Sequence, residues 1–332
     1  MVDPFILLVA IVVLALGFDF INGMHDTANA IAASVSTRAL SPRSAIILSA
    51  SMNFVGALVG TEVAKTIGKG IVNPGDVTQM VIMSALIAAI AWNLITWYFG
   101  LPSSSSHALI GGVIGAVAWH AGFDHFQSKG LVKVFSALFL SPLIGFGVGM
   151  VLMVAIYWLF RRSVPGKINR WFLWGQRFTA AFAAFSHGTN DAQKSMGIIT
   201  MALVSFYSYK VFEVPLWVKI SCALAMAIGT STGGWRIIRT MGGRMIKMTP
   251  PNGFAADAGS SLVILTASHF GAPVSTTHVV SSTIMGVGAA KRFSAVRWGV
   301  AGRIVGAWVL TIPATAAIAA ASYELLSKIL RL

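Results

Sequence analysis

Apolar runs of roughly membrane-spanning length, separated by short polar joints, make up most of the 332-residue chain; among them are 4–16, Ser44–Val59, Val77–Phe99, Val134–Phe160 and Trp298–Ser322. A helix needs about 20 such residues to cross a hydrocarbon core. None of the runs alternates every second residue, as a membrane strand would. The pattern predicts an all-α, polytopic membrane protein with about ten to twelve membrane segments.

Two polar clusters interrupt this pattern. In Gly17-Phe-Asp-Phe-Ile-Asn-Gly-Met-His-Asp-Thr-Ala-Asn29, the ionisable residues Asp19, His25 and Asp26 follow directly on an apolar run. An ionisable side chain at bilayer depth costs several kcal/mol or more unless it faces protein or water, so the cluster marks a site. Ser186-His-Gly-Thr-Asn-Asp-Ala-Gln-Lys194 repeats it, with Gly188, Asn190 and Asp191 each 165 positions after Gly23, His25 and Asp26. Further on, Pro102-Ser-Ser-Ser-Ser-His107 recurs as Pro273-Val-Ser-Thr-Thr-His278, and Pro142 as Pro313, at an offset of 171. The chain thus divides into a first membrane repeat, 1–160, a basic cytoplasmic linker, 161–177, and a second repeat, 178–332.

Glycine and polar side chains inside a span tolerate unwound backbone, so a broken helix is expected at each polar cluster. The proline-hydroxyl segments read as helix starts whose free N–H groups suit an anion, in short re-entrant hairpins or full spans.

Composition sharpens the class. With 56% hydrophobic and 10% charged residues, the chain is far more apolar than a soluble domain, in which about 25% are charged. The formal charge of +14 sits in joints between spans, where Lys and Arg set orientation, and so argues against a nucleic-acid partner. Arg38 and Arg43 follow the first run and nothing basic precedes it, which places the N-terminus outside and predicts a retained first span rather than a signal peptide. Arg161 to Arg177 then lies in the cytoplasm, so the second motif's helix leaves the side that the first one enters: two inverted-topology repeats. The single cysteine, Cys222, excludes an internal disulfide and a cysteine metal cluster. The 33 glycines and 14 methionines suit close helix packing in lipid and imply no cofactor.

The candidate chemistry is that of an oxyanion site. Serine and threonine hydroxyls with helix N-terminal N–H groups suit phosphate or sulfate oxygens, and Lys194, one turn after Asp191, neutralises charge. Asp26 and Asp191 beside an anion require protons or a cation, since like charges in low dielectric repel. The bland alternatives are helix capping, or a structural Asp191–Lys194 pair, for the aspartates; back-bonding to helical carbonyls for the hydroxyls; and loop orientation for His107 and His278. His187 and His269 read as interhelical contacts, and Asp19 and Asp257 as members of a proton or cation route. A sulfate carrier, a passive channel and a membrane-embedded enzyme using His25, Asp26 and His187 are the rival functions.

At Asn22-Gly-Met-His-Asp-Thr-Ala-Asn-Ala30, Gly188-Thr-Asn-Asp-Ala-Gln-Lys194 and the two proline-hydroxyl segments, the chain resembles the inorganic phosphate transporter (Pit) family over nearly its whole length. The resemblance implies secondary symport of inorganic phosphate across the cell membrane. Asp26, Asn29, Asn190, Asp191, Gln193 and Lys194, with Ser104, Ser105, Ser106, Ser275, Thr276 and Thr277, would then enclose the substrate. His25, Asp26, Asp191 and Asp257 would serve the coupling cation. His25, Lys194 and Asn53 depart from the sodium-coupled members, which have Asn, Asn and Glu there. The chain looks more like bacterial low-affinity members that couple to protons and take phosphate with a divalent metal. Sodium coupling stays open, as does a homo-oligomer.

Overall fold

A computed structural model of the chain describes residues 3–72 and 77–330. Among the described residues the fold is all-helical, and the one pairing of extended backbone is an isolated antiparallel bridge between Val72 and Phe126. The helices are α1 (Pro4–Ser36), α2 (Pro42–Ala57), α3 (Glu62–Gly70), α4 (Gln79–Phe99), α5 (Ser105–Ala121) and α6 (Ser128–Leu159), followed by α7 (Pro165–Tyr207), α8 (Leu216–Thr232), α9 (Trp235–Arg239), α10 (Pro250–His269), α11 (Thr276–Ala289) and α12 (Trp298–Leu330).

Four of them, α1, α4, α6 and α12, are long and apolar enough to cross a membrane. Six spans result if the bent pairs α2–α3 (67°) and α8–α9 (62°) each count as one. Phe139, Leu143, Val151 and Trp158 on α6, with Val309 and Leu310 on α12, turn large apolar side chains outward. Such a surface is stable against lipid rather than water, and the chain is an integral membrane protein.

The helices are not broken where the sequence predicts. α1 and α7 run continuously through both polar motifs. The reason is what their glycines do. A Cβ on Gly23 would stand 2.3 Å from the Met226 carbonyl oxygen of α8, and one on Gly188 would stand 2.2 Å from the Asn53 carbonyl oxygen of α2. These glycines bring helix backbones together, as small residues do between membrane helices, and do not unwind their own helix. Thr27 and Thr189 bond back to the carbonyls of Gly23 (2.6 Å) and Phe185 (2.9 Å), which the helical backbone accommodates. The bends fall in the neighbouring pairs instead, beside Gly60 (φ 81°) and at Gly233 (φ 73°).

The basic stretch from Arg161 to Arg177 is also more ordered than a linker. Pro165 starts α7, so 165–177 forms the opening turns of that helix, and the Arg177 Nε donates to the Ala39 carbonyl at 3.2 Å.

Two apolar clusters flank a polar layer. One includes Leu8, Ile11 and Phe18 of α1 with Ala192 and Met196 of α7; the other includes Ala28 and Ile31 of α1 with Ala184 of α7. α1 passes from the first to the second through 19–27, whereas α7 passes from the second to the first through 186–191. The two motif helices therefore traverse the layer in opposite directions.

α5 and α11 both start in this layer. Their first residues follow the joints 100–104 and 270–275, and Ser104 and Ser275 cap them by accepting from the N–H of His107 (3.1 Å) and His278 (3.2 Å). At 17 and 14 residues they are shorter than the roughly 20 needed for a full crossing.

Candidate functional site

Just after the capping serines, Ser105 of α5 and Thr276 and Thr277 of α11 face the motif helices. Ser105 Oγ donates to Asp26 Oδ2 at 3.4 Å, Thr277 Oγ1 to Asp26 Oδ1 at 3.2 Å, and Thr276 Oγ1 to Asp191 Oδ2 at 3.1 Å. Asn29, one turn after Asp26, donates to Thr277 (3.0 Å). Lys194, one turn after Asp191, places its ammonium 2.6 Å from Asp191 Oδ1. In the orientation that satisfies both ends of its amide, Asn190 donates to the Val274 carbonyl (3.1 Å) and Asp191 Oδ1 (3.3 Å) and accepts from Ser268 (2.9 Å).

Each carboxylate has an imidazole beside it. His25 Nδ1 lies 2.7 Å from Asp26 Oδ1, and His25 Nε2 faces Thr96 (3.1 Å) and Ser103 (3.3 Å). His187 Nε2 faces Asp191 Oδ2 at 3.3 Å, while its Nδ1 is 3.0 Å from Asn53 Oδ1; Asn53 in turn donates to Thr230 at 3.0 Å.

All the carboxylates and the lysine are buried, with Asp26, Asp191 and Lys194 exposing 2%, 0% and 1% of their surface. At such depth the lysine offsets only one of the two carboxylates. Apart from those of His107 and His278, which the capping serines take, the first-turn N–H groups of α5 and α11 have no partner within their own helices, and with the hydroxyls they are donors suited to an oxyanion. One atom each of Asp26, His187 and Asp191 lie within 4.8 Å of one another, close enough to share a cation. Chemically, the arrangement can hold an oxyanion together with a proton or metal ion that balances its charge.

Not every candidate joins this cluster. Gln193 is turned to α3, where its Oε1 accepts from the N–H groups of Val63 (2.9 Å) and Ala64 (3.2 Å). Ser104 and Ser275 serve as caps, and Ser106 donates to the Val274 carbonyl at 3.0 Å. Asp257 bonds Gln176 at 3.3 Å, and Gln176 bonds Thr37 at 2.6 Å. Eleven residues of α10, about 16 Å of helix, separate Asp257 from Ser268 at the cluster. His107 and His278 stack on each other at 4.3 Å, and Trp308 stacks on His278 at 3.9 Å; they brace the two hydroxyl joints.

Thr96, Thr230 and Ser268 lie outside the repeated motifs, and Ser103 stands where the second proline-hydroxyl segment has Val274, so the repeats do not single them out; their neighbour Asn53, a lone amide in an apolar run, is the one signal in the sequence.

The Phosphate transporter family matches residues 22–319, from the first polar motif to α12. The chain belongs to that family. It is 52% identical, over 98% of both chains, to a Bacillus subtilis protein described as a probable low-affinity inorganic phosphate transporter, and 49% identical, over 96% of both, to one of Rhizobium meliloti with the same description. A solved structure, a sodium-dependent phosphate transporter, superimposes with a TM-score of 0.88 at 25% identity, covering 97% of this chain and 99% of that one. The family and these relatives are phosphate transporters and not enzymes.

Proposed function

We propose that the protein is a secondary active symporter of inorganic phosphate, driven by protons and located in the cell's inner or plasma membrane. The observation that carries this reading is the meeting of Ser105 of α5 and Thr276 and Thr277 of α11 with Asp26 and Asp191. Phosphate takes the hydroxyls and the N–H groups of the two helix starts, and Lys194 lies beside it. Neither carboxylate tolerates an added anion without a counter-charge, and the His25–Asp26 pair accepts a proton for that purpose.

Ten membrane segments follow if α2–α3 and α8–α9 each make one bent segment and α5 and α11 are counted as partial ones. α1–α6 and α7–α12 then form two inverted halves with the phosphate site between them, as many secondary transporters are built. The opposed directions of α1 and α7 and the matching bends support this reading.

Sodium coupling is the second reading, favoured by the structural likeness to a sodium-dependent transporter. His25 and Lys194 weigh against it, because an imidazole and an ammonium replace hard oxygen ligands. A divalent metal travelling with phosphate would find Asp26, His187 and Asp191 as ligands.

Phosphate uptake into proteoliposomes tests the site and the coupling together. Asp26→Asn, Asp191→Asn and Lys194→Ala are expected to abolish or strongly reduce uptake; full activity in all three would remove the site. Wild-type uptake is expected to collapse with the proton gradient, and uptake that followed an imposed sodium gradient instead would replace protons by sodium. Excess sulfate is expected not to compete.

A further inference from the structure

One to two turns from the transport site, a second group of buried polar atoms has no partner. Asp19, Asn22 and Asp26 follow one another along one stripe of α1. Both amide atoms of Asn22, both of Asn93 on α4 and Oδ2 of Asp19 make no hydrogen bond among the described residues, and all three side chains are fully buried. The other Asp19 oxygen accepts from Ser195 at 2.6 Å.

α1 and α4 run parallel. Phe5, at the start of α1, packs on Phe206 near the end of α7, and Ser205 beside it donates to the Val77 carbonyl just before α4. Further along, His25 and Thr96 join the two helices at 3.1 Å. Asn22 and Asn93 each precede that bond by three residues, so they share a level about 4.5 Å along the axis from it. Asp19 lies one further turn toward the helix starts.

An unmatched amide presents donors and an acceptor together. A cation there would satisfy only the oxygens, whereas water satisfies both and is the usual occupant of buried polar sites of this kind. We infer that water held by Asn22 and Asn93 connects Asp19 to the transport site, and that the coupling proton enters the site through Asp19. The Asp19 carboxylate takes a proton from the aqueous phase. The held water accepts that proton and releases another to the proton acceptor of the transport site, and Asp19 returns to the carboxylate; one proton is gained and one lost at each station.

The charged and titratable groups around Asp19 are Asp191 and Lys194 on α7 and Cys222 on α8, whose thiol lies against the carboxyl; His25 and Asp26 lie about two turns further along its own helix. α4 contributes Asn93 and no charged side chain.

This inference rests on the proton-coupled reading above, and its test separates the two. In proteoliposomes, three quantities are followed: phosphate–phosphate exchange without a gradient, phosphate accumulation under a proton gradient, and proton entry on phosphate addition, reported by a trapped pH dye. Asp19→Asn is expected to keep exchange near the wild-type rate while accumulation and phosphate-linked proton entry fall at least about tenfold. Asn22→Leu combined with Asn93→Leu is expected to show the same split, and Asp19→Glu to restore coupling. Should Asp19→Asn not give monodisperse protein, the asparagine double variant reads the same quantities. Unchanged proton entry in these variants, or loss of exchange together with accumulation, overturns the inference. Failure of the phosphate site looks different, because Asp26→Asn would then retain exchange.

Discussion

At the residue scale, Lys194 is where the two motifs differ most in charge: it stands 165 positions after Asn29. Its ammonium against Asp191 makes a buried pair 2.6 Å apart. Removing one member leaves the other charge uncompensated in low dielectric, a loss of about 3–5 kcal/mol. Lys194→Ala is therefore expected to lower the unfolding temperature in detergent more than Lys194→Ala combined with Asp191→Asn, because the double variant removes both charges. A larger loss in the double variant would contradict the pairing. Thr277 is the smaller case, since its hydroxyl bridges Asn29 and Asp26. Thr277→Val keeps the shape and removes both bonds, each worth about 1–3 kcal/mol when a buried partner is left unmatched. A rise of about tenfold or more in the KM for phosphate is the expected outcome, measured from the concentration dependence of uptake.

At the scale of elements, the motif glycines carry the lesson. In sequence, Gly17 and Gly23 look alike: both sit in a polar stretch at the end of an apolar run. In the fold, a Cβ on Gly17 meets nothing within 4 Å, whereas one on Gly23 runs into the α8 backbone. Gly17→Ala is expected to stabilise the protein by about 0.5–1 kcal/mol through helix propensity. Gly23→Ala is expected to destabilise it by about 1–3 kcal/mol or more, as overpacking does. Thermal unfolding of the two variants side by side checks the contrast, and equal shifts would mean that α1 and α8 are not in close contact. Whether a glycine unwinds its own helix or admits another cannot be read from its neighbours in sequence, because the deciding atom belongs to a distant helix.

At the scale of the whole molecule, the prediction concerns which face each connection occupies. Residues 122–127 join α5 to α6, and 290–297 join the equivalent α11 to α12. Two inverted halves put these connections on opposite sides of the membrane. On a Cys222→Ala background, Asp124→Cys and Lys291→Cys are expected to react with an impermeant thiol reagent from opposite sides. Labelling of both from one side would rule out the inverted arrangement. The basic residues had already pointed this way: Lys291, Arg292 and Arg297 cluster at the second connection, and charge follows topology through the cost of moving cations across lipid.

The sequence by itself determined the class of molecule and singled out the two polar motifs whose side chains meet in the fold. Long apolar runs have few physical outcomes other than helices in lipid, and Asp26, Asp191 and Lys194 inside such runs are too costly to be incidental. Only the tertiary structure decided which of the repeated residues meet. It turned Gln193 toward α3, held Asp257 near Gln176, set Ser103 against His25 and brought in Thr96 and Ser268 from outside the motifs. Those choices depend on crossing helices far apart in the chain, where a shift of one residue rotates a side chain by about 100° and sends it to a different partner.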